Sequence, residues 1–230
     1  LVGSVLRDMI RAGDLARENV VLVSKIGYVQ GQNQTQAQAR EKSGKPYPEM
    51  VKYGDDIWHC IHPEFLADQL TLSLDRLGVA TLDVCLLHNP EYFLSHATRL
   101  GGNESRDLSS LRREFYGRLQ RAFEYFETQV QAGRLRGYGV SSNTATSAPD
   151  DPGATSLSQM IDAAKSAAAA VGAASHHFQV LQCPMNLYES GAALVKNTGM
   201  HNGSTLLEEA IRERIAVLVN RPLNAMPVQR

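Results

Sequence analysis

Cysteine is scarce. Cys60, Cys85 and Cys183 are the three in 230 residues; an odd count spread so widely argues against a disulfide scaffold and for a reducing compartment, the cytoplasm or its like. Cys85 and Cys183 lie in apolar runs and are expected to be buried as small hydrophobes. A surplus of charge is missing too: 23 Lys plus Arg face 24 Asp plus Glu, so the chain has no clustered basic footprint for nucleic acid or an anionic membrane. Small molecules or proteins are the expected partners. No targeting segment is visible at the start, where charges are interspersed throughout. Membrane-spanning, coiled-coil and disordered readings find no support in the composition. No Gly-rich GxGxxG turn follows any apolar run, which leaves a Rossmann dinucleotide site unsupported.

What the sequence does have is 43% hydrophobic residues over 230 positions, enough for a single domain over residues 1–230 with a sizeable core. Val2, Val5, Leu6, Met9 and Ile10 fall at helical spacing with no Ser, Thr, Asp or Asn before them, so the chain is expected to open inside a helix, with at least one element preceding it. A buried strand is expected over Val20 to Lys25. Residues 26–56, without a sustained apolar period, read as a long loop. Pro63 opens a helix that stops at Gly78. Leu82 to Leu87 reads as a strand ending at His88-Asn89-Pro90, followed by a loop to about residue 106. A long helix carries Leu108, Leu111, Phe115, Leu119, Phe123, Phe126 and Val130 on one face and ends at Gly133; its charged opposite face is read as solvated. Tyr138 to Val140, Phe178 to Gln182 and Ala216 to Val219 complete five strands. Helices over about 155–171 and 205–214 separate them, the alternation of a parallel β/α architecture.

Each expected strand ends in polar residues: Lys25, His88, Ser141 to Asn143, Gln182, and Asn220 with Arg221. Parallel β/α folds bind ligands at the carboxyl ends of their strands, so this repeated placement points to an enzyme. His59-Cys60-Ile61-His62 has potential metal ligands, but a fourth ligand is missing nearby and the spacing is not that of a zinc site; loop packing is the reading taken, and no metal is expected. His176 and His177 are neighbours on an extended chain, pointing to opposite faces, and are read the same way.

With these motifs assembled, the sequence resembles the aldo/keto reductase family. The resemblance rests on Val23-Ser24-Lys25, on Ser73-Leu74-Asp75-Arg76-Leu77-Gly78, and on Leu82-Asp83 through Leu87-His88-Asn89-Pro90. It continues in Gly139-Val140-Ser141-Ser142-Asn143, Gln182-Cys183-Pro184-Met185-Asn186 and Arg221-Pro222-Leu223. It implies a TIM-like (β/α)8 barrel, here incomplete at about five β/α units, and NADPH or NADH as cofactor. It implies hydride transfer between nicotinamide and an aldehyde, ketone or sugar. A Tyr donates the proton in such enzymes, and because a phenol ionises only near pH 10, an adjacent ammonium stabilises the phenolate. By the resemblance Lys25 is that lysine, His88 orients the carbonyl, Ser141 and Gln182 hold the carboxamide, and Ser142 and Asn143 are further cofactor contacts, with Asn220 or Arg221 at the stacking position and Arg221 a cation for pyrophosphate or an acidic substrate.

The departures are an Asp and Tyr expected upstream of Leu1, Ser142 where the family has Asn, and two strands expected after Arg230. At roughly 40 residues per unit, eight units need about 300 residues, so the chain is expected to be short by about three strands. Open apolar edges would then need covering. Two functions follow from this: a reductase with Lys25 and His88 as part of its catalytic set, and a non-catalytic scaffold whose edges a protein partner covers.

Overall fold

The computed structural model describes residues 1–100 and 107–224. The sequence elements, in order, are α1 (Val2–Ala12), β1 (Val23–Ile26), β2 (Tyr28–Val29), α2 (Gln32–Lys42), β3 (Val51–Gly54), β4 (Ile57–His59), α3 (Pro63–Leu77), β5 (Leu82–His88) and α4 (Tyr92–Leu100). They continue with α5 (Leu108–Gln131), β6 (Leu135–Ser141), α6 (Leu157–Ala170), β7 (Phe178–Pro184), α7 (Gly191–Leu194), β8 (Lys196–Thr198), β9 (Ser204–Thr205), α8 (Leu206–Arg212) and β10 (Ala216–Asn220).

Five strands pair in parallel in the order β1-β5-β6-β7-β10. Each new strand adds beside the last with no reversal, so the sheet has no switch point of the doubly wound kind and winds in one direction, as a barrel wall does. Between consecutive strands the chain returns through helices, and α3, α5, α6 and α8 pack in sequence along one face. The main core lies beneath them. Along α5, Leu111, Phe115, Leu119, Ala122, Phe123 and Phe126 are all buried, and the rings of Phe123, Phe126, Tyr138 and Phe178 pack edge-on or tilted at 5.0–6.0 Å. A separate small cluster of Val84, Leu86 and Val180 lies on strands β5 and β7. Gly139 lets strands β6 and β7 approach: a Cβ there would collide with the Val180 carbonyl oxygen.

The helix ends obey their local chemistry. α3 starts with Pro63 in its first turn, His62 Nδ1 accepts the Glu64 N–H at 3.3 Å, and the left-handed Gly78 closes it. Thr205 and Glu208 form a reciprocal capping box on α8.

Several expectations need correction. Residues 26–56 are not a loop: they hold α2 and, with β4, a three-stranded sheet of order β2-β4-β3. The helix escaped the periodicity test because Ala37 is its one buried residue and the rest is polar. The three strands are two to four residues long. His59 is therefore in a strand, not a loop. The stretch after Pro90 contains α4, anchored by the buried Phe93 and Leu94; residues 101–106 of the expected loop lie outside the described residues. The first strand is shorter than Val20–Lys25 and is not buried throughout, with Val21 at 72% exposure and Val23 at 42%. The reason is its place at the sheet edge, and β10 at the other edge is likewise half exposed. Cys60, Cys85 and Cys183 are all buried and free.

Candidate active site

Parallel register sets the carboxyl ends of the strands side by side: Lys25 pairs with Leu86, His88 with Ser141, Ser141 with Gln182, and Asn220 with Pro184. Three of these ends meet on one atom. Gln182 Oε1 accepts the Lys25 ammonium at 2.8 Å and the Ser141 hydroxyl at 3.0 Å. Lys25 thus reaches across two intervening strands, which requires the sheet to curl toward the side that bears these residues.

Lys25 and His88 line a common cavity of about 400 Å³ with Tyr28, Asn33 and Gln69. Removal from water lowers the Lys25 pKa below the ordinary ammonium value. His88 is pushed down to about 4, by desolvation first and then by the Lys25 charge. At neutral pH it is an uncharged imidazole, able to donate or accept a hydrogen bond but not to carry a proton into a reaction.

Tyr28, which no motif singled out, braces that imidazole. The two rings meet edge to face at 4.6 Å, while Tyr28 Oη accepts the Asn89 amide at 2.7 Å and donates to Tyr92 Oη at 3.3 Å. Behind them, the buried His59 donates from Nε2 to the His88 carbonyl at 2.7 Å. Its pKa also falls to about 4, chiefly through burial. Gly27 makes this approach feasible, since a Cβ there would stand 2.6 Å from the His88 carbonyl oxygen and 2.7 Å from His59 Nε2. The β-sheet contributed by β2, β3 and β4 is thus a buttress for the end of β5.

A second group forms at the ends of β6 and β10. Arg221 Nη2 donates to Asn143 Oδ1 at 3.0 Å and Nη1 pairs with Glu189 at 3.1 Å. From the other side the Asn143 N–H donates to Glu91 Oε1 at 2.7 Å. Glu91 is 4% exposed, and burial pushes its pKa up to about 7 against the opposing pull of nearby N–H and hydroxyl donors.

Ser142 does not join the cleft. It is fully buried, its Oγ accepts the N–H groups of Thr144 and Ala145 at 3.2 and 3.1 Å, and it shares a bond with Thr155. Strand alternation turns it away from the side on which Ser141 lies, and the hydroxyl is consumed by the turn. Asn220 is half-buried, and its Oδ1 is buried with no partner among the described residues. Among the same residues no three His, Cys, Asp or Glu side chains gather as a metal site, and no helix is long and apolar enough to cross a membrane.

The residues that face the cleft fit a nicotinamide nucleotide in one respect: Gln182 Oε1 and Ser141 are arranged as an amide-recognition pair, and the Gln182 Nε2 has no hydrogen-bond partner among the described residues.

The aldo/keto reductase family profile matches residues 1–150. No curated protein matches the sequence. Among solved structures, an aldo-keto reductase (AKR2E5) of the silkworm Bombyx mori superimposes with a TM-score of 0.51 at 16% identity, over 100% of this chain and 49% of that one. Bombyx mori AKR2E4, solved in complex with NADP, is similar at TM-score 0.49 and 15% identity, over 96% and 47% of the two chains. AKR11C1 of Bacillus halodurans, in its holo form, has a TM-score of 0.49 at 14% identity, over 99% and 51%. The chain spans about half the length of these solved structures, and its α/β fold with a parallel sheet matches part of the (β/α)8 barrel of the AKR2E5 reductase. Because the profile takes in α1, the Lys25 strand and the Leu82-to-Pro90 motif together, this chain belongs to the aldo/keto reductase family.

Proposed function

We propose that this chain is part of a NAD(P)-dependent oxidoreductase that reduces the carbonyl of an aldehyde, ketone or sugar. The observation that carries the reading is the convergence of Lys25 and Ser141 on Gln182, with a neutral His88 lining the same cavity as Lys25. A bound nicotinamide supplies the hydride. The protein's own residues hold and polarise the partner: the His88 imidazole donates a hydrogen bond to the carbonyl oxygen, and the Lys25 ammonium stabilises negative charge developing there or on a phenol that protonates it. Gln182 and Ser141 grip the carboxamide, Asn143 supports the same ring, and Arg221 offers a cation to pyrophosphate or to an acidic substrate.

The Gln182 Nε2 donor is open to the carboxamide oxygen, while a carboxamide N–H that seeks Oε1 competes there with Lys25. Titration of the chain with NADPH, followed by nicotinamide fluorescence, tests the reading. Saturable binding weakened about three- to tenfold by Gln182→Ala is expected, since a lost bond at a half-buried side chain costs about 1 kcal/mol. Absence of binding, or binding indifferent to Gln182→Ala, refutes it.

A second reading is a non-catalytic scaffold whose edges a protein partner covers. It is favoured by the exposed Val21 just before β1 and Val23 within it, and by Leu218 and Val219 on β10. NADPH binding decides between the two.

A further inference from the structure

Glu91 has no counterpart among the motifs, and its burial is costly. A carboxylate removed from water is stable only where donors replace the lost hydration. One oxygen, Oε1, has the Asn143 N–H at 2.7 Å, while Oε2 is buried with no hydrogen-bond partner among the described residues. The side chain stands at the start of α4 and presses against the turn that follows β6. From that turn it meets the Ser142 hydroxyl and the N–H groups of Asn143 and Thr144; from its own helix it meets Tyr92, the one titratable group among these neighbours. Arg221, on the chain after β10, holds the far side of Asn143 through Oδ1.

Asn143 is thus clamped between a carboxylate behind it and a guanidinium in front. Asn143 and Arg221 are exposed, and it is their mutual placement that the clamp fixes. We propose that Glu91 is a positioning residue whose carboxylate form holds the turn after β6, and with it the Asn143–Arg221 pair, in the shape that receives a nucleotide. The nucleotide part rests on the function proposed above; the grip on the turn does not.

An ionised carboxylate accepts a backbone N–H about twice as strongly as a neutral acid. Losing the charge loosens the turn, and a net difference on the scale of one hydrogen bond corresponds to about three- to tenfold in affinity. The burial-raised acid range of Glu91, near 7, puts the change within reach of ordinary buffers.

The test follows the Asn143 backbone amide by nitrogen–proton NMR from pH 5.5 to 8.5 in the free protein, with NADPH affinity measured over the same range. In the unsubstituted chain the amide should titrate with a midpoint near 7. In Glu91→Gln, which keeps an acceptor but cannot ionise, it should stay flat. The ratio of NADPH affinities between the two proteins, in which the ligand's own titration cancels, should change about three- to tenfold across that midpoint. Arg221→Ala should weaken binding and leave the Asn143 midpoint in place. An Asn143 amide that does not titrate, or one that titrates equally in Glu91→Gln, overturns the proposal, and the titration of the unsubstituted chain needs no variant to fold. A titrating amide with no NADPH binding at any pH supports the grip on the turn and refutes the nucleotide function.

Discussion

Glu127→Ala should be among the most damaging single substitutions in this protein. Glu127 is fully buried on α5. Its Oε1 accepts the Tyr138 hydroxyl at 2.7 Å and the His177 N–H at 2.8 Å, and Oε2 meets His177 Nδ1 at 2.7 Å. One side chain therefore ties a helix to the middle of β6 and to the entry of its neighbour β7. Truncation leaves the Tyr138 hydroxyl without a partner at 0% exposure, which costs about 1–3 kcal/mol. The part-buried His177 N–H adds about 1 kcal/mol, and the residual cavity adds about 1 more. The His177 ring is 34% exposed and can turn to water. The sum is about 4 kcal/mol, within the range for breaking a buried charged contact, and implies a fall in Tm of about 8–16 °C for a chain of this size.

Tyr138→Phe removes a single buried hydrogen bond and should cost about 1–2 kcal/mol. Burial, and then Glu127, raises the Tyr138 pKa above the normal phenol range, so the hydroxyl is a donor at every working pH. The double variant no longer has the orphaned hydroxyl and should be more stable than the sum of the singles predicts. Urea denaturation followed by circular dichroism measures all three. A Glu127→Ala cost below about 1 kcal/mol, or simple additivity with Tyr138→Phe, would show that the network is not a coupled unit.

Two buried carboxylates should respond oppositely to pH. Glu91 has a folded pKa of about 7 against 4.5 unfolded, so the native state retains a proton that the unfolded chain releases and stability falls as pH rises from about 4.5 to 7. Glu91→Gln should then gain up to about 3 kcal/mol at pH 8 and almost nothing at pH 4.5 by denaturation; a uniform effect at both would contradict the assignment. Asp83 accepts the Leu22 N–H and pairs with Arg17 and Arg136 at 2.8 and 3.1 Å, and these donors hold its pKa below the usual value despite burial. Its stabilisation is present above about pH 4 and is lost as pH falls through the lowered folded pKa, so Asp83→Asn should be destabilising at pH 7 and approach neutrality in strong acid. Lys25→Met should lower any carbonyl reductase activity about 100-fold or more with the fold intact; unchanged kcat/KM would remove Lys25 from the reaction. Gly139→Ala should cost about 3 kcal/mol or abolish soluble expression, because the new methyl meets backbone that cannot move aside.

Legibility from sequence followed the range of the contacts. The α3 helix was plain because Pro63, the Leu periodicity and Gly78 lie within one stretch, and β5 because Val84 to Leu87 is an unbroken apolar run that ends at His88. The polar α2 was invisible because it buries almost nothing and is held by its neighbours rather than by its own pattern. The strand-end residues could be named, since each sits at a fixed offset from an apolar run, but their grouping could not. That Ser142 turns inward while Ser141 turns to the cleft is a matter of strand alternation and turn geometry. Tyr28 and Glu91 went unmarked because their partners lie 61 and 52 positions away, beyond any local signal.

The bond from Lys25 to Gln182 has one further consequence. It crosses the carboxyl ends of β5 and β6, from the first strand of the sheet to the fourth, and so joins side chains that the strand pairing alone keeps apart. A ligand that takes over the Gln182 carbonyl therefore does two things in one motion. It frees a positive charge into the cleft, and it removes the side-chain link between two strands, β1 and β7, that do not pair with each other.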